Sequence, residues 1–145
     1  MAYLTWLGGA VRNALTQKRM GTPVAVRGYF LLSPDHGLLL PTLAEALTMT
    51  AGWFGGLPAR VCALGGVRSG EVTVLAEFPG GETALLSAAT LRDPPALADL
   101  LVIGNRGTMR YQDRPEALAP GSADPKLMRA IERSLAEQGP VEVGR

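Results

Sequence analysis

The stretch from Glu71 to Tyr111, EVTVLAEFPGGETALLSAATLRDPPALADLLVIGNRGTMRY, decides the fold. In EVTVLAEF, Val72, Val74, Ala76 and Phe78 recur at every second position, the period of a strand with one buried face. Pro79-Gly80-Gly81 breaks that alternation with residues suited to a reversal, since proline fixes φ and glycine permits φ > 0. ETALLSAAT reads as the return strand and LRDPPALAD as a loop. In LLVIGNRGTMRYQ, Gly104 to Gly107 reads as a tight hairpin between Leu101–Ile103 and Thr108–Tyr111. The expectation is a three-stranded antiparallel meander onto which the rest of the chain packs.

Upstream, Leu4, Leu7, Val11 and Leu15 lie at helical spacing and predict an amphipathic helix from Tyr3 to Met20, with Gly21 as its stop. Gly8-Gly9 weakens its first half, each interior glycine costing roughly 1 kcal/mol against alanine. Val24 to Leu32 predicts a strand, with Val24, Val26 and Gly28 on one side and Ala25, Arg27 and Tyr29 on the other. Ser33 to Gly37 has turn chemistry at nearly every position. Thr42 is expected to cap a largely apolar, buried helix over Leu43–Phe54, with Glu45 completing a capping box. Gly55-Gly56 ends it, and Pro58 opens the short strand ARVCALGG.

Downstream, Asp113 to Ala123 reads as a loop, and Asp124 caps a last helix with Pro125 at its first position. Its apolar stripe is Leu127, Met128, Ile131 and Leu135. Gly139-Pro140 ends it, and VEV adds an edge strand. The fold class is α+β: a single domain over residues 1–145, with an open, mainly antiparallel β-sheet and helices packed on one face.

A chain of 145 residues is the size of one domain, and 47% hydrophobic with 19% charged residues excludes disorder. A net charge of +1 makes no electrostatic case for nucleic acid or an anionic membrane. The apolar start AYLTWLGGAV has no cationic region before it and no run long enough to span a bilayer. With a single cysteine, Cys62, no internal disulfide can form, so a cytoplasmic location is expected. Cys62 lies in an apolar strand and reads as core, as do Trp53 and Phe54. One cysteine and one histidine, His36, fall short of a metal-ligand set, and neither a nucleophile elbow nor a P-loop is present.

A sheet covered on one side has a second face to hide. That face carries Thr73, Leu75 and Glu77, with either Thr83, Leu85, Ser87 and Ala89 or Ala84, Leu86, Ala88 and Thr90 beside them. Both alternatives are poor in charge. The open face is therefore expected to pack against another protein surface, most simply a second copy, around Leu75 and Leu86.

Several phrases, in this order, resemble the C-terminal domain of the Gfo/Idh/MocA oxidoreductases, the glucose–fructose oxidoreductase and inositol dehydrogenase group. They are RMGTPVAVRG, GLLLPTLAEALTMTAGWFGGLPARVCALGG, EFPGGETALLSA, LVIGNRGTMRY and AIERSLAEQGPVEV, and together they span nearly the whole chain. The resemblance implies a missing half, because the family carries an N-terminal Rossmann domain with a glycine-rich fingerprint and a catalytic Glu-Lys-Pro segment. Neither occurs here, so no cofactor is expected in this chain and NAD(P) only through a partner subunit. The family's catalytic Asp and His, four residues apart at a helix start, match Pro41 and Glu45. Proline can exchange no proton; Glu45 is a candidate base, with its reading as a capping carboxylate weighing more. His36 is a second catalytic candidate, weighed against a plain loop residue. Arg27 and Tyr29 are candidates to line a ligand cleft over the open face, and Arg92, Arg106 and Arg110 read as scattered surface residues. The expected role is a stand-alone domain, not catalytic by itself, that acts in oligomerisation or binding or as partner of a separate NAD(P)-binding subunit; a further possibility is a piece of a longer chain. The alternative is a substrate-domain subunit completing a sugar- or polyol-type oxidoreductase site with a Rossmann partner.

Overall fold

A computed structural model describes residues 2–32, 34–90, 96–118 and 120–144. The chain runs α1 (Tyr3–Thr16), β1 (Pro23–Leu32), a 3-10 turn (His36–Leu38), α2 (Leu39–Phe54), β2 (Arg60–Gly66), β3 (Glu71–Glu77) and β4 (Thr83–Thr90). It continues through β5 (Leu97–Gly104), β6 (Thr108–Asp113), α3 (Pro125–Glu137) and β7 (Val141–Glu142). The strands form one sheet in the order β6-β5-β1-β4-β3-β2-β7. Among the described residues only β1 and β4 are parallel neighbours, and every other pairing is antiparallel.

The α+β architecture agrees with the expectation, but the meander lies one strand earlier. β2, β3 and β4 pair in succession, whereas β4 and β5 are separated by β1. β1 bonds to both, from Ala25 opposite Thr83 and Ile103 to Leu31 opposite Ala89 and Leu97. The two hairpin turns stand as read. Gly81 takes φ +94 in the 78–82 turn, where the Phe78 N–H donates to the Glu82 carbonyl at 2.9 Å. The 104–107 turn docks on the α1–β1 connection: the Arg106 N–H donates to the Met20 carbonyl at 2.9 Å and the Thr22 N–H to Asn105 Oδ1 at 3.0 Å.

Helix boundaries follow local capping. α1 stops at Thr16 rather than Met20, because Lys18 adopts φ 57 and Gly21 φ 75, which no helix continues. α2 starts at Leu39, not Leu43, and the expected capping box does not form. The start signal is Asp35: its Oδ1 accepts from the Gly37 N–H at 2.9 Å, and its carbonyl accepts from the Leu38 N–H at 3.1 Å. The resulting 3-10 turn feeds straight into α2, and Pro41 sits in the first turn, where a missing N–H breaks no helical bond. Thr42 is thus inside the helix and buried, with no hydrogen-bond partner for its hydroxyl among the described residues. α3 begins as expected, the Asp124 side chain accepting from the Lys126 N–H with Pro125 in the first turn.

All three helices lie on one side of the sheet. Val26, Phe30, Val72, Val74, Ala84, Leu86, Leu100 and Val102 point into this layer and are buried against Leu43, Leu47, Leu127 and Ile131. Ser134 ties α3 to the sheet, accepting from the Ala63 N–H at 2.7 Å while donating to the Gly139 carbonyl. Trp53 is core, its Nε1 donating to the Gly8 carbonyl at 3.2 Å, and Phe54 packs edge-on against Phe78. Two expected positions are corrected. Leu86 is fully buried under the helices, so Leu85 takes the open-face place beside Leu75. Cys62 is only partly buried and stands opposite Leu75, outside the helix-covered core.

Candidate functional site

Strand register sets the open face row by row. One row runs Arg110 (β6), Leu101 (β5), Arg27 (β1), Leu85 (β4), Leu75 (β3) and Cys62 (β2). The next runs Gln112, Asp99, Tyr29, Ser87, Thr73 and Leu64. Arg27 and Tyr29 therefore share this face, as expected, and together with Leu85, Ser87, Asp99 and Arg110 they line an open depression of about 360 Å³. Arg110 is held there by a two-pronged contact with Asp99, at 2.7 and 3.1 Å. Such a planar pair orients both side chains, but at this exposure it adds little stability. Thr73 and Ser87 share a hydrogen bond at 2.8 Å. Among the described residues the Arg27 and Tyr29 side chains make no hydrogen bond or ion pair, and Tyr29 is 40% exposed. Asp99 and Ser87 escaped the sequence reading, because their place beside Tyr29 depends on pairings of β1 with β4 and β5 that are distant in sequence.

The start of α2 is a separate place. His36 is exposed and lies by the 67–70 turn, where a Cβ added at Gly70 would come within 3.2 Å of Nε2. No hydrogen bond joins it to Glu45, so the structure does not assemble the two catalytic candidates. Glu45 is 4% exposed and faces α1 and the loop before α3, where its Oε2 accepts from the Gly121 N–H. Burial raises its carboxyl above the ordinary carboxylate value, an effect that the Gly121 N–H partly offsets. Gly121 lies on the carboxylate so closely that even an added Cβ would stand 3.0 Å from Oε1, and Pro41 offers no donor. Arg106 is exposed in the 104–107 turn, and Arg92 lies outside the described residues. Among the described residues no three His, Cys, Asp or Glu side chains gather to hold a metal, and no helix is long and apolar enough to cross a membrane.

The raised carboxyl gives stability a definite sign against pH. Folded Glu45 holds its proton more tightly than the unfolded chain, whose value is near 4.5. Its contribution is therefore complete below that value and declines as pH rises through the raised folded one. Thermal melts across this window should show Glu45→Gln lacking the decline and equalling or exceeding the parent above it. A parent that gained stability relative to Glu45→Gln as pH rose would contradict the raised value.

No protein-family model matches the sequence, and no curated protein does. Solved structures match by fold. The myo-inositol dehydrogenase from Lactobacillus casei, in complex with NAD(H) and myo-inositol, superposes with a TM-score of 0.73 at 10% identity, over 95% of this chain and 59% of that one. The myo-inositol 2-dehydrogenase from Lactobacillus plantarum gives 0.72 at 11% identity, over 94% and 61%. The WlbA dehydrogenase from Bordetella pertussis, in complex with NADH and UDP-GlcNAcA, gives 0.68 at 12%, over 94% and 60%. The chain spans about three-fifths of the length of each of these structures. At these identities the likeness establishes fold: the chain carries the architecture of one portion of such dehydrogenases, in agreement with the resemblance to their C-terminal domain.

Proposed function

We propose that the chain is a self-associating domain of this fold, without hydride-transfer activity of its own, whose open sheet face joins copies. The supporting observation is that face itself. Leu75, 40% exposed, continues the row of Leu85 and Leu101 across the uncovered side of the sheet, and Leu64, 63% exposed, ends the neighbouring row beyond Ser87 and Thr73. Contiguous apolar surface of this kind marks an interaction site, and a closed two-fold contact satisfies it with one patch. The single cysteine accords with a reducing, cytoplasmic setting.

Light scattering behind size exclusion, over a dilution series, tests this reading. A dimer or larger assembly is expected, and Leu75→Asp should shift it towards monomer with an unchanged circular dichroism spectrum. A folded Leu75→Asp variant of parental mass would remove this face from the interface.

A second reading makes the chain a substrate-domain subunit, with NAD(P) carried by a separate Rossmann protein and a sugar- or polyol-type substrate. It draws on the fold neighbours, which are dehydrogenases, and on the sequence resemblance that matches Glu45 to a catalytic position. A co-purifying nucleotide-binding protein whose hydride transfer is lost with Glu45→Gln would support it. Full activity of that variant would take Glu45 out of the chemistry.

A further inference from the structure

β6 ends the sheet, bonded on one side to β5 and on the other to no strand among the described residues. The far edge is treated differently: β7 covers Arg60 and Val61 of β2, and Ser134 Oγ takes the Ala63 N–H. Hydrogen-bonded and non-bonded pairs alternate along an antiparallel ladder. The Gly104 N–H donates to the Gly107 carbonyl at 2.8 Å, so that pair is a bonded one, and Val102–Met109 and Leu100–Tyr111 follow as the next two. Thr108, Arg110 and Gln112 therefore turn their N–H and C=O groups outward, and all three are exposed. No proline or bulge interrupts β6 to keep this edge from pairing. A recess of about 240 Å³, smaller than ligand pockets and suited to a side chain, flanks the strand. Ala14, Gln17, Arg19 and Met20 form one wall and Gly107 to Met109 the other. No residue of β5 lines it, so it adjoins the outer margin of β6, beside Met109, which shares the helix-side phase of buried Val102. The surroundings are cationic. Lys18, Arg19, Arg106 and Arg114 have side chains with no hydrogen bond or ion pair among the described residues. Of the nearby acids, Asp113 is held by the Tyr3 hydroxyl and Asp99 by Arg110, and Glu116 is the next along the chain.

We propose that the β6 edge binds an extended acidic segment of another protein as an added strand, with acidic and apolar residues alternating along it. Each part of that description answers one observation. The outward backbone groups at alternate positions call for a strand, since strand addition draws its affinity from main-chain hydrogen bonds and its specificity from pockets for alternate side chains. The recess beside Met109 takes an apolar side chain on the helix side. Carboxylates of the other phase come to the open-face side, where Arg110 lies, with Arg106 and Arg114 beyond the two ends of β6. A second copy suits this edge poorly. Antiparallel pairing of β6 with itself brings the Arg106 end of each strand against the Arg114 end of the other, cation on cation. The proposal uses the margin of the sheet rather than its open face, and does not rest on self-association.

The test is fluorescence anisotropy of the full chain with three labelled peptides: the acidic SEVEVEVES, its basic counterpart SKVKVKVKS, and the acidic peptide N-methylated along its backbone. The acidic peptide should bind saturably, at least ~10-fold more tightly than the basic one, and N-methylation should abolish binding. Gln112→Pro removes one outward N–H and leaves the ladder to β5 intact, the placement in which an edge strand tolerates proline. It should weaken the acidic peptide at least ~10-fold. Arg114→Glu should weaken the acidic peptide and strengthen the basic one. Arg114 is exposed, so that variant stays folded even if circular dichroism shows that Gln112→Pro does not. No saturable binding of the acidic peptide up to ~1 mM, equal affinity for the basic or the N-methylated peptide, or parental affinity in a folded Gln112→Pro or in Arg114→Glu would each overturn the proposal.

Discussion

Aspartate at position 86 is expected to leave no cooperatively folded protein, while aspartate at position 85 leaves the fold intact and lowers the mass of the assembly. Leu86 is fully buried, paired with Gly28 of β1 and Val74 of β3 on the helix-covered side. Removing a leucine from such a place costs about 2–5 kcal/mol through lost contacts and the cavity left behind. The carboxylate adds an unpaired charge in an apolar layer, worth several kcal/mol more, or else is forced to take up a proton. Together these match the roughly 5–15 kcal/mol by which domains are stable. Leu85, one residue away, pairs with Arg27 and Leu75 on the uncovered side, where a new carboxylate stays in water and gains a neighbouring guanidinium. Its folding cost should be within about 1 kcal/mol, as for most surface changes. Thermal melts by circular dichroism, with light scattering on whatever folds, read both variants. A folded Leu86→Asp beside an unfolded Leu85→Asp would mean that the strand presents its other face to the helices.

That pair also marks where the sequence stops being legible. On β4 the two candidate faces are Ala84, Leu86, Ala88 and Leu85, Ser87, Ala89, nearly equal in polarity, so alternation alone does not choose between them. The choice is made by α2, which packs on β4 from a distant part of the chain. The same holds for Cys62, whose strand is apolar on both sides and whose burial depends on which side the helices cover. Sequence order suggests that β4 and β5 pair, since consecutive strands usually do, yet β1 lies between them. The double proline in the long 90–97 connection was a signal against a tight hairpin, but it does not name the strand that intervenes. Features set within a few residues were legible: Asp124-Pro125 starts α3, and Gly81 turns the 78–82 hairpin. The start of α2 misled because two capping residues compete, and Asp35 wins by building a 3-10 turn ahead of Thr42. On the open face, the shared strand phase of Arg27 and Tyr29 was legible. Asp99 joins them only through tertiary packing.

Leucine in place of Gly28 is expected to lower stability by about 3 kcal/mol, or roughly 10 °C in melting temperature for a chain of this size. β1 is flanked on both sides, and a Cβ at Gly28 would stand 2.9 Å from Leu86 Cδ2, 3.2 Å from Phe30 Cε2 and 3.3 Å from Leu100 Cδ1. Three large side chains from three adjacent strands thus close over the glycine, and further carbons would have to displace them or part the sheet from α2. The gain in strand propensity is at most ~1 kcal/mol and does not offset that crowding. Gly28→Ala should cost less, because its closest neighbour is the tip of a flexible leucine. Shortening that neighbour tests the cause: in the double variant Gly28→Ala, Leu86→Val the two changes should be less harmful together than the sum of each alone. A strictly additive cycle, or a Gly28→Leu protein as stable as the parent, would show that this part of the core has room to spare. Arg27 and Tyr29 flank Gly28 but project from the opposite face, so any variant here that still folds should assemble to the parental mass. A loss of mass without a loss of folding would instead tie the core layer to the interface, through a change in the twist of the strand that joins the two halves of the sheet.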